Sequence, residues 1–408
     1  MPYPPHQGTT IRNYNLVADL AERHEVHLLS FADFSAGQVG AKHASPLLEE
    51  NHALRRYCKS VELVPTPERT MFQRFMATFF STLPDMALRL SSPEFYARLA
   101  AVLMREKFDI IQIEGIEMAR YGLWLRSPEG RKLLGRRTLL VFDDHNAEYV
   151  LQQRAFETDA RRPRRWAGAL YSLVQWRKLR RYEREICRQA DRVVAVSEAD
   201  RVALLRLAPD IEVAVIPNGV DLEYYHPGFL SPLSVSNSLV FTGKMDFRPN
   251  VDAMLWFCEE VLPRVRAEMP DVHFYIVGQK PHSRLRHLLS DPAVTITGYV
   301  DDVRPYIAGA SIYVVPLRIG GGTRLKVLEA MAMGKAIVST RLGCEGFEIT
   351  DGREALLADS PEDFARRAVE LLADSARREE LGRAARRFAE ERYDWRAIVP
   401  RFEQVYGS

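Results

Sequence analysis

Short apolar runs alternate with longer amphipathic stretches along almost the whole chain. The first series of runs is EVHLLSF (25–31), SVELVPT (60–66), DIIQIEG (109–115), TLLVFDD (138–144) and RVVAVSE (192–198). After AVIPNGVD (214–221) the series restarts with SLVFTGK (238–244), VHFYIVG (272–278), VTITGYV (294–300), SIYVVPL (311–317) and AIVST (336–340). Several of these are continuously apolar, as parallel strands covered on both faces must be. Helical patterns such as VDAMLWFCEEVLPRVRAEM lie between them. Strand–helix–strand repetition predicts doubly wound α/β sheets. Two series imply two such domains, expected over residues 1–215 and 216–385, because 408 residues exceed one ordinary core. Residues 386–408, ending in DWRAIVPRFEQVYGS, are expected to form a closing helix that packs back toward the first domain.

The start departs from this rhythm. MPYPPHQGTTIRNYNLVADLAERHEV gives a turn-rich loop and an amphipathic helix. In a doubly wound domain such a loop leaves the C-terminal end of a strand, and no strand-like run stands before it. The expectation is a first domain that lacks its first, central strand, with an apolar segment encoded in frame upstream of Met1.

Composition narrows the class. Apolar content of 47% with 27% charged residues is globular, and a net charge of +2 gives no global field for nucleic acid. Cys58, Cys187, Cys258 and Cys344 show no CxxC spacing or disulfide rhythm. No run approaches a membrane span and no signal peptide is evident, so cytosolic residence is expected.

The richest chemistry lies in RIGGGTRLKVLEA (318–330), between a strand and a helix. Gly320, Gly321 and Gly322 let backbone N–H groups approach an anion, and a helix starting near Thr323 adds its positive end. Arg324 and Lys326 place cations where a helix disfavours them unless an anion neutralises them. A bound phosphate or diphosphate resolves that conflict, although no Walker A spacing is present. Glu329 lies three residues beyond Lys326. It reads either as half of an exposed ion pair worth a few tenths of a kcal/mol or as a carboxylate that accepts ribose hydroxyls. His145 follows a strand at its C-terminal end, where open α/β sheets place ligands.

PLRIGGGTRLKVLEAMAMGKAIVST resembles the donor-binding segment of glycosyltransferase family 4, the retaining GT-B enzymes. PPHQG, HEVHLLSF, DDHNAEY, VVAVSEADR, VIPNGVD, VFTGKMDFRPNVDA, GYVDDVRPY and DWRAIVPRFEQVY match in order. The pattern is most similar to bacterial exopolysaccharide-type and PEP-CTERM-associated sugar transferases. The resemblance implies an α/β GT-B fold of two Rossmann-like domains facing a cleft, and a hexosyl transfer from a nucleotide-diphosphate sugar to a glycan or lipid-linked acceptor. It puts the diphosphate on Arg324, Lys326, Thr323 and the glycine run, with Lys244 of GKMDFRPN a lesser candidate beside Arg248. Gly8 and Thr9 match the loop that faces the donor diphosphate, Glu329 the ribose carboxylate, and Tyr299 and Val300 the base contact. His145 would hydrogen-bond the donor sugar. The family's usual partner glutamate, seven residues before Glu329, is replaced by Gly321. The adjacent Asp143 and Asp144 are assigned no metal, since such enzymes need no Asp-x-Asp site, and no cofactor is implied.

Residues 161–188 carry ten basic and two acidic side chains with Trp166, Tyr171 and Trp176 interleaved. That composition suits an anionic membrane surface, or equally a solvated helix with inward tryptophans. Nothing else resembles a nucleic-acid module. MFQRFMATFFSTL (71–83) exposes many aromatics unless it is core, and in that case is expected to line an acceptor cleft. An isomerase resembling nucleotide-sugar 2-epimerases and a catalytically weak scaffold protein remain alternatives.

Overall fold

A computed structural model describes residues 1–3, 8–33, 53–161, 166–229, 237–320 and 322–407. These form two compact units, one of Met1–Pro217 with Val399–Ser408 and one of Asn218–Ile398. All ten expected strands are present.

In the first unit, β1 (His27–Ala32) pairs in parallel with β2 (Ser60–Pro65). A second parallel sheet runs in the order β3 (Ile110–Glu114), β4 (Leu139–Asp144), β5 (Arg192–Ala195) and β6 (Val213–Val215). Among the described residues, β1 and β3 each have a strand partner on one side only. Their apolar residues Leu28, Leu29, Ile110 and Ile111 are only partly buried, whereas Leu140 to Asp144 of β4 are fully buried. The two sheets meet where the rings of His27 and Phe108 stand edge to face at 5.0 Å.

A buried ion pair fastens this unit together. Arg12, on helix Gly8–Leu20, is 1% exposed, and its Nε and Nη2 reach the two carboxylate oxygens of fully buried Asp143 at 2.8 and 2.9 Å. Its Nη1 donates to the Pro217 carbonyl at 3.1 Å, and its guanidinium lies over the Phe402 ring of the closing helix Trp395–Gly407. One side chain thus joins the first helix, a central strand, the end of the chain's first pass and its return. The closing helix is also held by Glu403, which accepts from Arg23 at 2.8 Å, and by Tyr406, which donates to Gln112 of β3.

The second unit holds a six-stranded parallel sheet of β7 (Ser238–Thr242), β8 (His273–Val277), β9 (Val294–Gly298), β10 (Ile312–Val315), β11 (Ile337–Ser339) and β12 (Leu356–Leu357). Their order across the sheet is β12-β11-β10-β7-β8-β9. The chain therefore lays strands to one side of β7 and then to the other, which opens a crevice beyond the C-terminal ends of β7 and β10. Every residue of β7 and β10 is buried, and Phe257 packs against Phe274 and Phe364 at 4.6 and 5.7 Å between ring centroids. The helix over 248–268 widens into a π turn at Phe257–Val261, just before Pro263, whose missing N–H cannot continue the regular bonding.

Two details differ from the sequence reading. β6 and β12 are strands of three and two residues, too short to display a period. Helix Ser375–Arg392 runs unbroken through residue 385, so the closing segment starts only after it, at the Val220–Asp394 bridge.

Removing one partner of a buried ion pair leaves the other charge stranded, at a cost of about 3–5 kcal/mol. Arg12→Ala is therefore expected to lower the stability of the first unit by that order, while Arg12→Met with Asp143→Leu loses much less. Urea unfolding of the three proteins checks this, and equal midpoints for Arg12→Ala and the parent would contradict it.

Candidate functional site

In the second unit the crevice is built around Lys326. Helix Leu325–Ala332 begins one residue after Arg324, slightly later than expected, so Lys326 stands in its first turn. The Lys326 ammonium is 3.1 Å from Asn250 Oδ1 and 3.9 Å from the centre of the Phe241 ring. Asn250 is fixed in turn by donating to the Lys244 carbonyl at 2.9 Å. Two glycines make this approach possible. A Cβ on Gly243 would come within 2.7 Å of the Lys326 Nζ, and one on Gly278 within 1.8 Å of the Gly243 carbonyl oxygen. The turns that leave β7 and β8 are thereby packed backbone to backbone under the cation.

Burial pushes the Lys326 pKa down to about 7, partly opposed by Glu329 and reinforced by Arg324. Glu329 is shifted the other way: burial raises its pKa, against the charge of Lys326 and a hydrogen bond with Tyr225. The exposed-pair reading of Lys326 and Glu329 is thus replaced by a pair facing inward, beneath Arg324. The Arg324 Nη1 donates to the Gly322 carbonyl at 2.9 Å, and Gly320 and Gly322 adopt positive φ of 115° and 78°. Among the described residues, Thr323 Oγ1 is buried without a hydrogen-bond partner. Gly321 lies outside the described residues. Lys244 projects outward, 3.8 Å from Asp246, rather than joining Lys326. Arg248 opens helix Arg248–Trp256. Tyr299, just past β9, is 70% exposed, and Val300 beside it packs against the core.

In the first unit His145 sits just past β4, where expected. Its Nε2 is 2.9 Å from Glu114 Oε2 at the end of β3 and 3.9 Å from Asp143 Oδ2. Burial lowers the pKa of the ring, but the Glu114 hydrogen bond and the charges of Asp143 and Glu114 outweigh it, so the net shift is upward. Asn13, with its amide oriented to donate, reaches both Thr9 O at 3.1 Å and Glu114 Oε2 at 2.9 Å. Gly8 and Thr9 are exposed at the start of the same helix, while the preceding residues 4–7 lie outside the described set.

Adjacent strand residues point to opposite faces, and Asp143 and Asp144 accordingly have unrelated surroundings. Asp143 belongs to Arg12. Asp144 is buried against Glu183, which accepts from the backbone N–H groups of Glu148 and Tyr149 at 2.8 and 3.0 Å. Burial and the neighbouring carboxylates raise the pKa of Asp144, and burial raises that of Glu148 to about 7. Glu114, Asp143 and His145 bring ligand-type atoms within 4.8 Å of one another, with both Asp143 oxygens already engaged by Arg12.

Sequence reasoning had overlooked Arg12, Asn13, Glu114, Asn250, Tyr225 and the Gly243–Gly278 contact. Arg12 carried a signal, since it lies four residues before buried Leu16 and so on the inner face of an amphipathic helix.

The family description "Glycosyltransferase Family 4" matches residues 7–224, and "Glycosyl transferases group 1" matches residues 236–374. The phosphatidyl-myo-inositol mannosyltransferase of Mycolicibacterium smegmatis is 30% identical over 205 residues, 47% of this chain and 51% of that one. The chain's matches thus span about half the length of such curated relatives. Sucrose-phosphate synthase from Thermosynechococcus elongatus superposes with a TM-score of 0.68 at 19% identity, covering 98% of this chain and 93% of that one. Anabaena HepE, solved with UDP and glucose, gives a TM-score of 0.59 at 15% identity, covering 93% and 99%. These likenesses and the two parallel α/β units establish a GT-B fold. With one family description covering more than half of its 408 residues, this chain belongs to glycosyltransferase family 4.

Proposed function

We propose that this protein is a retaining hexosyltransferase that moves a sugar from a nucleotide-diphosphate donor to a glycan or lipid-linked acceptor in bacterial cell-surface polysaccharide synthesis. The observation that carries this reading is the Lys326 ammonium, held at the strand crossover by Asn250 and Phe241 with Arg324 beside it. Two cations and glycine backbone at one crevice provide for a diphosphate. The UDP and glucose solved with HepE, and the lipid acceptor named for the mannosyltransferase, support the donor and acceptor classes. Glu329, with Tyr225, would take the ribose, and the backbone at Tyr299 and Val300 the base. Gly8 and Thr9 are assigned to the donor diphosphate as well.

As the glycosidic bond breaks, negative charge grows on the leaving diphosphate. Arg324 and Lys326, fixed in advance, stabilise that state more than the ground state. The charge-assisted bond to Glu114 fixes the His145 ring and holds a proton on Nε2, leaving Nδ1 toward the Gly115 turn. His145 is assigned to the donor sugar, with Glu114 and Asn13 as positioning residues. The basic and aromatic stretch 161–188 is assigned a peripheral contact with an anionic membrane. Among the described residues no helix is long and apolar enough to cross one.

Substituting Lys326 by Ala is expected to weaken donor binding by about ten- to a hundredfold, read by thermal shift against a set of nucleotide-sugars. Undiminished affinity would remove the diphosphate assignment. Free Lys326 titrates near 7, and a diphosphate beside it raises that value. Binding therefore takes up a proton above pH 7: affinity is level below it and declines as pH rises, by up to about tenfold per unit. Calorimetry in buffers of different ionisation enthalpy measures that uptake, which Lys326→Met abolishes. For His145→Ala, kcat is expected to drop about 100-fold with donor affinity near that of the parent. A loss confined to donor affinity would reassign the residue.

A further inference from the structure

Helix Met71–Phe80 is built inside out. Met71, Phe72, Phe75, Met76, Phe79 and Phe80 are 38–79% exposed, and Thr78 is its one buried residue. At 100° per residue the six apolar side chains sweep an arc of about 180°, and Arg74, Ala77 and Thr78 fill the inward arc. The helix is therefore not docked by its apolar face. A capping box of Thr70 and Gln73 starts it. Arg69 and Arg74 both pair with buried Asp85, and the Lys178 ammonium donates to the Ala77 and Thr78 carbonyls at 3.1 and 2.7 Å. Polar contacts thus mount a ridge of Phe and Met facing solvent.

The mounting helix, Trp166–Gln189, adds charge to this surface. Trp166 and Leu170 are 64% and 52% exposed. Arg177, Arg181 and Arg184 follow them within an arc of about 60°, exposed and paired with no carboxylate among the described residues. Trp176, by contrast, turns inward against Phe156. An apolar end therefore runs into a basic stripe, alongside the Phe and Met ridge.

We propose that helix Met71–Phe80 inserts into the interfacial region of an anionic lipid bilayer, while the arginine stripe of Trp166–Gln189 lies on its headgroups. Interfacial helices combine these two features, apolar insertion and cationic attraction. The unpaired arginines select the occupant. A second copy would bring the same positive stripe against its own kind, and side chains so exposed offer no walls around a single acyl chain. The inference extends the membrane contact assigned to 161–188 by naming the element that enters the lipid, and it is independent of donor binding.

The test is co-sedimentation of the full chain with vesicles of phosphatidylglycerol and phosphatidylcholine in equal parts, and with phosphatidylcholine alone. The parent is expected to bind the mixed vesicles and hardly the neutral ones. The variant with Phe72, Phe75, Phe79 and Phe80 each replaced by Ser, and the variant with Arg177, Arg181 and Arg184 each replaced by Gln, should each lose roughly tenfold or more in affinity. Both should keep the parent's unfolding midpoint and nucleotide-sugar response, because the replaced side chains are exposed. Full retention of binding by the Phe variant alone would mean surface adsorption and overturn insertion, leaving the 161–188 contact standing. No vesicle binding by the parent would overturn both. A concentration-dependent dimer abolished in the Phe variant, without vesicle binding, would assign the ridge to a second copy instead. A failed nucleotide-sugar response in every protein would count against the donor assignment and not against insertion.

Discussion

A charge can stay out of water only where another charge, or a set of fixed dipoles, replaces its hydration. The two units meet that constraint in opposite ways. In the first, the Arg12 guanidinium and the Asp143 carboxylate satisfy each other completely, with the Pro217 carbonyl and the Phe402 ring completing the enclosure. Nothing further is needed, and the pair acts as a fastener. In the second, Lys326 is given an amide oxygen and an aromatic face but, among the described residues, no carboxylate in direct contact. Its depressed pKa records the shortfall. A cation so undersolvated suits an anionic partner, which is the ground on which the donor diphosphate is proposed there.

The same reasoning places the carboxylates behind His145. Asp144 and Glu183 are buried together, so two adjacent negative charges would be costly and the pair retains a proton. Their raised pKa values mean that the native state holds protons the unfolded chain would release in the ordinary carboxylate range. This cluster therefore favours the fold most at acidic pH, and its contribution declines as pH rises through the range where Glu148, near 7, and its neighbours ionise. Glu183 nevertheless accepts two backbone N–H groups at the start of helix Glu148–Ala160. It orders the segment that follows His145 at the expense of some neutral-pH stability.

Much of the fold was legible because parallel strands, covered on both faces, cannot avoid continuous apolar runs. TLLVFDD and SIYVVPL became β4 and β10 almost to the residue. β12 was not legible, because two residues carry no period. At the site, the glycine run and its cations announced themselves through a local conflict with the helix dipole. Asn250 and Gly243 did not, since their role depends on β7 and β10 becoming neighbours across 70 residues of chain. Asp143 was visible only as half of an adjacent pair. Its partner Arg12 lies 131 positions away, and only the packed unit brings the two together.

Helix Met71–Phe80 shows the limit of pattern reading most directly. Amphipathic periodicity identifies two faces of a helix, and burial of the apolar face is then an assumption about water as the surrounding solvent. Here the inward face is Arg74, Ala77 and Thr78, and the mounting contacts are charged or made through backbone carbonyls. An inverted helix of this kind is inconsistent with hydrophobic packing as its purpose. It is consistent with a polar mount that holds an apolar ridge toward a medium other than water.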